Sequence, residues 1–309
     1  MEISEYKSPY GAEAEHGARR FVRHVALSSL AGAYKLSGQT SYLNRNRIQF
    51  LYLHHIFEDE EAGFRRLLEH LSRRHTLIGY SEAVEKLWSG NIDRPYVCFS
   101  FDDGLKNCLS AARILDEFGV SGCFFICPSM VGETDHQRLK EFCVRRLTLP
   151  PTELLTWDDA EHLLAGGHEI GSHTMSHHVL SRITPEQVCD EVAGSYEDLT
   201  RRLGSVKHFA WPEGLFSRIT ADAASTVFQA GFQSCASAER GCHVEKPETD
   251  LNGLCIRRDY VAANWPLSHV SYFLTANSKT ASAKSNHWPE GWPEQIQAAK
   301  GGGVRRGEL

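Results

Sequence analysis

Tyr96-Val97-Cys98-Phe99-Ser100-Phe101-Asp102-Asp103-Gly104 is an apolar run that reads as a strand and ends in two adjacent carboxylates and a glycine. In α/β folds the chemistry collects at the carboxyl ends of strands, so a site is expected here. Alone the stretch is weak, because any turn leaving a strand recruits polar residues and glycine for local reasons. A second strand-like run changes its weight: His168-Glu169-Ile170-Gly171-Ser172-His173-Thr174-Met175-Ser176-His177 ends in two histidines four residues apart. One carboxylate with two imidazoles is a three-ligand set for a catalytic divalent ion, with coordination left over for water and substrate.

Around these two runs the pattern alternates between strand and helix. Residues 48–53 are a predicted strand, and 58–74 a helix with Phe64, Leu67, Leu68 and Leu71 on one face. Residues 105–118 read as a helix closed by Gly119, and 121–127 as the next strand. Thr156-Trp157-Asp158-Asp159 and Thr184-Pro185-Glu186-Gln187 are capping boxes that open two more helices. Strands follow at 206–211, 232–236 and 254–261, with helices at 217–230 and 266–274. Repeated βα units imply a parallel sheet or barrel with helices outside. Residues 128–155 break the rhythm with a polar and basic stretch containing Arg145-Arg146 and Pro150-Pro151, read either as an ordinary connection or as a lid over the cleft.

At both motifs the chain resembles the polysaccharide deacetylase family, carbohydrate esterase family 4 or NodB homology domain, whose pattern is Thr/Ser-Phe-Asp-Asp-Gly followed by His-Ser/Thr-x-x-His. The resemblance runs from about Ile48 to about Val261 and includes Phe209-Ala210-Trp211-Pro212-Glu213-Gly214. It implies a distorted or incomplete (β/α) barrel in which Asp102 is the general base and Asp103, His173 and His177 hold a divalent metal. Zinc is the first choice, with cobalt, nickel and manganese as alternatives.

The family's third motif commonly reads Arg-x-Pro-Tyr-Gly, and here Ala210 stands at the arginine and Glu213 at the tyrosine. A branch reading Phe-Ala-Tyr-Pro-Tyr-Gly also lacks the arginine and carries an early Tyr-His-x-Ile and a late Arg-Ile-x-Val segment. Leu53-His54-His55-Ile56 and Arg258-Asp259-Tyr260-Val261 look like these segments. On that resemblance Arg258 replaces the missing arginine by pairing with Asp102, a surface salt bridge being the alternative. His54 is the implied general acid, with His55 and His269 as competitors. The backbone N–H of Glu213 becomes an oxyanion donor, and Trp211 either stacks on a sugar ring or belongs to the core.

At 309 residues, 41% hydrophobic and 23% charged, the chain is long enough for one large α/β domain. A net charge of −6 and a pI near 6.2 leave no electrostatic footprint for nucleic acid. Nine cysteines, an odd number lying mostly in apolar runs, read as reduced hydrophobes rather than a disulfide framework. The start, Met1-Glu2-Ile3-Ser4-Glu5, is acidic where a secretory signal is basic, and 22–36 is interrupted by Arg23, His24 and Ser28-Ser29. That stretch is expected to be an amphipathic helix on the domain or on a membrane face, not a span, which makes the cytoplasm the default.

The domain reading is an N-terminal helical extension over 1–47, a catalytic domain over 48–276 and a disordered tail over 277–309. The expected reaction is hydrolysis of an N-acyl group, foremost N-acetyl, from an amino sugar in a glycan or glycan precursor. The competing readings are a deformylase or other amide hydrolase of the same fold, and a glycan-binding pseudoenzyme.

Overall fold

The computed structural model describes residues 17–247, 253–282 and 287–301. Nine strands form one sheet: β1 (Arg47–Leu53), β2 (Thr76–Leu77), β3 (Pro95–Phe101), β4 (Gly122–Ile126), β5 (Glu169–Ser172), β6 (His208–Ala210), β7 (Ser234–Ala236), β8 (Leu254–Ile256) and β9 (Arg258–Tyr260). Every pairing is parallel, in the order β8-β7-β6-β5-β4-β3-β1-β9, with the short β2 added beside β3. The helices are α1 (Gly17–Leu36), α2 (Glu61–Ser72), α3 (Tyr80–Ser89), α4 (Cys108–Glu117), α5 (His136–Phe142), α6 (Trp157–Ala165), α7 (Pro185–Leu203), α8 (Ala221–Ala230), α9 (Leu267–Thr280) and α10 (Trp292–Gly301).

Alternation along each strand divides the apolar residues between two layers. On β3, Val97, Phe99 and Phe101 join the outer layer that the helices cover, whereas Tyr96 and Cys98 face inward with Phe50, Phe125 and Ala236. Tyr80, in the first turn of α3, closes the interior from below with its ring 5.1 Å from Phe50 and 5.6 Å from Phe125. The two predicted capping boxes are present at Thr156 and Thr184, where each threonine hydroxyl accepts from the N–H three residues on. They fix where the chain turns from loop into helix on either side of β5.

The barrel is nearly closed. Residues 254–261, expected as one strand, are divided at Arg257: β8 pairs with β7 at one edge of the sheet and β9 with β1 at the other. His243 fills the seam, exchanging backbone hydrogen bonds with Ile48 at 2.7 and 2.9 Å while its Nε2 accepts from Arg257 N at 3.1 Å. A continuous strand cannot serve two edges at once. The break lets a short segment do so.

The expectation of a disordered tail past Asn277 is corrected over its described part. α9 runs on to Thr280, and residues 287–301 carry α10, packed on α8. Trp288 is buried, stacks on Trp211 at 5.8 Å and donates Nε1–H to Gly253 O at 2.8 Å, and Ile296 is buried as well. The Ser, Ala, Lys and Gly content of the tail outweighs two tryptophans on composition, but two tryptophans bury enough apolar area to order a helix. Residues 283–286 and 302–309 lie outside the described residues, as do 1–16 of the N-terminal extension. Within that extension α1 packs along α9, and no described helix is long and apolar enough to cross a membrane.

Candidate metal centre and active site

β3 ends at Phe101, and Asp102 N donates to Leu53 O at 3.0 Å, so the ends of β3 and β1 are tied together. The next residue, Asp103, has φ +77°, and Gly104 has φ +69°. Two successive left-handed residues turn the chain sharply enough to send the two carboxylates in different directions, and glycine in the second position bears that conformation without a Cβ penalty. A run of strand ends is thus converted into a site.

β5 delivers the histidines. His173 N donates to Ile126 O at 2.9 Å, and His177 N to Thr174 Oγ1 at 2.9 Å, which curls the loop so that both rings face one point. The loop is anchored to α7 by Glu191, whose carboxylate accepts from Ser176 N at 2.9 Å and Ser176 Oγ at 2.5 Å. His177 Nε2 and His173 Nε2 stand 3.3 and 3.4 Å from Asp103 Oδ1, and one ligand atom from each of the three residues lies within 4.8 Å of the others. All three side chains are buried.

The donor set fits a cation. His173 Nδ1 lies 2.8 Å from Ala210 O, which only accepts, so Nδ1 carries the proton and the neutral ring turns a lone pair toward Asp103. A lone pair facing a carboxylate needs a positive charge between them. Without an ion the charge must come from a proton: burial alone would lower the His173 pKa, but the contact with Asp103 overrides it and raises it. Burial likewise works to raise Asp103, yet the two imidazoles hold it well below the usual carboxylate range. Among the described residues no other group of three or more His, Cys, Asp and Glu side chains converges in this way.

Asp102 faces the same cleft from the inward side of β3. Arg258, the first residue of β9, reaches across the barrel interior and binds it with both terminal nitrogens: Nη1 to Oδ1 at 2.7 Å and Nη2 to Oδ2 at 2.8 Å. Nε donates to Ser237 O at 2.8 Å and Nη1 also to Ser100 Oγ at 3.1 Å, while the guanidinium lies over the rings of Tyr52 and Phe125. Arg258 is 0% exposed, so this is a buried bidentate pair, not a surface salt bridge. The arginine that Ala210 lacks is supplied from a strand on the far side of the barrel.

These groups open into a cleft of about 390 Å³, also bordered by Tyr52, His54, His55 and Tyr260. His54 is half-buried between the rings of Tyr52 and Tyr260, each 5.5 Å away, and burial lowers its pKa against the pull of Asp103 and Asp102. His55 Nδ1 is bonded to Glu60 Oε2 at 2.8 Å. His269 is not in the cleft. It is buried in α9, with Nε2 3.0 Å from Ser28 Oγ of α1.

Residues 146–150 form one wall, so the segment with the odd composition stands beside the site. Arg146 Nη2 donates to His178 Nε2 at 2.7 Å, which leaves the His178 Nδ1–H to meet Glu191 Oε1 at 2.9 Å. His178, which the sequence leaves without a role, thereby links the wall to the loop that carries His177.

Trp211 borders the cleft but exposes none of its ring there. It is 0% exposed, donates Nε1–H to Leu215 O at 3.0 Å and lies against Trp288 and Phe216, which corrects the reading of a sugar-stacking platform in favour of the core alternative. Glu213 is exposed at the rim with φ +61° and an ion pair to Arg218 at 2.6 Å. Gly214, φ +61°, follows it because a Cβ there would meet that of Ala238 at 2.3 Å.

Sequence reasoning missed Tyr52, Tyr260 and Thr148 as cleft residues. The first two had a signal: Tyr52 precedes His54, and Tyr260 follows Arg258, by two positions, the strand period that returns a side chain to the same face. Five non-glycine residues among those described have positive φ: Asp103, Thr148, Thr174, His177 and Glu213. Four border the cleft, and Thr174 lies between the two histidines. Such strain, of order 1–3 kcal/mol per residue, persists where the surroundings over-determine it, and it clusters at functional sites.

The polysaccharide deacetylase family model matches residues 89–232, a span that contains Asp102, Asp103, His173 and His177. No curated protein is a significant match in sequence. Among solved structures, IcaB from Ammonifex degensii is similar at 19% identity and a TM-score of 0.59, covering 76% of this chain and 98% of its own. The Streptococcus pyogenes deacetylase PplD in complex with acetate has 16% identity and a TM-score of 0.59, over 74% of this chain and 98% of that one. A de-N-acetylase from Aggregatibacter actinomycetemcomitans has 16% identity and the same TM-score, over 74% and 99%. At these identities the structures establish a shared barrel. Residues 89–232 of this chain match the polysaccharide deacetylase family, and the barrel around them is the one these solved structures share.

Proposed function

We propose that this protein is a divalent-metal-dependent hydrolase that removes the N-acetyl group from an amino sugar in a glycan or glycan precursor, with zinc as the ion. The observation that carries the reading is the juxtaposition of an Asp-His-His set with a second carboxylate held out of it by Arg258. The names of the similar structures, two deacetylases among them, point the same way. Nine free cysteines, eight of them buried, fit a reducing compartment, and the cytoplasm is the one we propose.

An ion held by Asp103, His173 and His177 would act as a Lewis acid, activating water and polarising the acyl oxygen. The chain's own groups do the rest. Asp102 takes the proton of the attacking water as the new C–O bond forms, and Arg258 keeps its two oxygens in place so that only the remaining lone pairs face the cleft. His54 gives a proton to the amine nitrogen as the C–N bond breaks, and the products are acetate and a free amino sugar. Glu213 N–H, carried at the rim on a left-handed backbone, is assigned to the developing oxyanion. A module that only bound glycan would not need the non-ligating carboxylate or its buried arginine.

The test is acetate release from defined N-acetylated amino-sugar oligomers by protein stripped of metal and then reconstituted with zinc. Release that depends on added ion is expected. Binding of the oligomers without release at any metal loading would overturn the reading in favour of a glycan-binding pseudoenzyme, and formate release from N-formyl substrates alone in favour of a deformylase.

A further inference from the structure

The solvent side of α1 is largely apolar, and no described residue covers it. One face of the helix meets α9, where Ser28 bonds His269 at 3.0 Å and Tyr34 packs on Tyr272 at 4.9 Å. Across the helix, Val22, Val25, Leu30 and Leu36 are 65, 46, 43 and 91% exposed, with Ala26 and Ala33 exposed among them. At 3.6 residues per turn these positions share one face, where the exposed Ser29 among them turns its hydroxyl back to Val25 O at 2.9 Å. Half of the large apolar side chains exposed among the described residues therefore sit on this one element, where scattered single ones would need no explanation.

Charge identifies what covers the stripe. The sequence of α1 contains Arg19, Arg20, Arg23 and Lys35 and no Asp or Glu, in a chain whose net charge is −6. A second copy of the chain seated on the stripe would bring like charges together, and a neutral apolar partner would leave them unused. An anionic surface with an apolar interior matches both features. We propose that α1 is a docking surface for an anionic lipid bilayer, lying in the plane of the interface with its apolar stripe among the acyl chains.

The orientation has a consequence for the cleft. α1 and α9 run in the same direction, with His24 beside His269 and Tyr34 beside Tyr272. The amino end of α1 thus adjoins the start of α9, which follows directly on the Tyr260 edge of the cleft. With α1 flat on the interface, its amino end, the end beside the cleft, would lie at the bilayer surface.

Flotation of the full chain with vesicles tests this independently of any catalytic assignment. Wild-type protein is expected to float with phosphatidylglycerol–phosphatidylcholine vesicles and not with pure phosphatidylcholine, and to bind less as salt is raised. The double variant Val25→Glu/Leu30→Glu changes only exposed positions. It should lose at least tenfold in apparent affinity while keeping the wild-type melting temperature and acetate release from soluble substrate. Equal flotation of variant and wild type, or no flotation of the wild type, would overturn the proposal. So would light scattering that shows a wild-type dimer becoming a monomer in the variant, which would assign the stripe to a second copy of the chain.

Discussion

Two clusters bring histidine against carboxylate at opposite ends of the strands, and only one has the chemistry of a site. At the amino ends, Glu169 opens β5, His208 opens β6 and Ser234 opens β7, with Ser81 of α3 among them. Ser81 N donates to Glu169 Oε1 at 2.8 Å and its hydroxyl to the other oxygen, while His208 takes Ser81 Oγ on one nitrogen and Ser234 Oγ on the other, both at 2.9 Å. One set of proton positions satisfies every atom, with the Nε2–H of His208 directed to Ser81. At the carboxyl ends, two ring nitrogens converge on one carboxylate oxygen and no such set exists without added positive charge. The amino-end residues have no positive φ, whereas Asp103 and His177 at the carboxyl end do, and with His173 they face a cleft. Proximity of histidine to carboxylate therefore says little. Frustrated convergence is what marks the ion site.

The largest effect should come from breaking that convergence. His173→Ala and His177→Ala are each expected to lose the bound ion and all measurable acetate release while staying folded, read by metal content beside circular dichroism. Ser81→Ala and His208→Ala should retain a full complement of ion. Metal retained in both ligand variants, or lost in both amino-end variants, would reverse the contrast drawn between the clusters.

Next in size are the groups that move protons beside the ion. Asp102→Asn should keep the ion and lower turnover by roughly 10²- to 10⁴-fold, as loss of a general base does. His54→Ala should lose a similar factor, again with metal unchanged, and its pH profile should differ from that of the wild type. The donor is the protonated ring, which disappears as pH rises through its pKa. Since burial lowers that pKa from 6.5, the alkaline limb should set in on the acid side of 6.5 in the wild type and flatten in the variant. An unaltered limb in His54→Ala would remove it from the reaction.

The parts of this arrangement that were legible in the sequence share one property: they are fixed by neighbours along the chain. Asp102-Asp103-Gly104 and His173 to His177 declare themselves because a strand end and a short loop place them, whereas Arg258, 156 residues from Asp102, was reached only through the resemblance of its segment to a family branch. Trp211 was open to two readings because the side chain that decides it, Trp288, belongs to a segment whose composition reads as disordered. The wall formed by residues 146–150 was ambiguous for a related reason. Its place beside His177 depends on the Arg146 to His178 contact, a pairing 32 residues apart that no local pattern announces.

A smaller effect is expected at the amino-end cluster, and it should be one of stability. Burial works to raise the Glu169 carboxyl, but the neighbouring His208 imidazole and the Ser81 donors outweigh it and hold the pKa below 4.5. As pH falls the unfolded chain takes up this proton first. The stabilisation is therefore complete above about pH 4.5 and is lost as pH drops through the lower folded-state value. Glu169→Gln should cost about 1–3 kcal/mol at neutral pH by urea unfolding and flatten the acid side of the stability profile. Its turnover per bound ion should match the wild type. A variant as stable as wild type at pH 7 would mean that the cluster is not the lock it resembles.

The smallest effect is expected at His269, and it is the sharpest test of how the acid was chosen. His269 competed with His54 for the role, but its imidazole is buried in α9 against Ser28 of α1, on the helix layer and outside the cleft. Removing it opens a small void between two helices and leaves Ser28 to solvent, which costs stability and touches no group that moves a proton. His269→Ala should therefore keep turnover within about twofold of wild type while the melting temperature falls by a few degrees. The two histidines then separate by readout: His54→Ala loses rate without losing stability, and His269→Ala the reverse. A rate loss of a hundredfold or more in His269→Ala, beside a harmless His54→Ala, would mean that the acid enters the cleft from the last helix, and that the partnership of α1 with α9 is part of the active site.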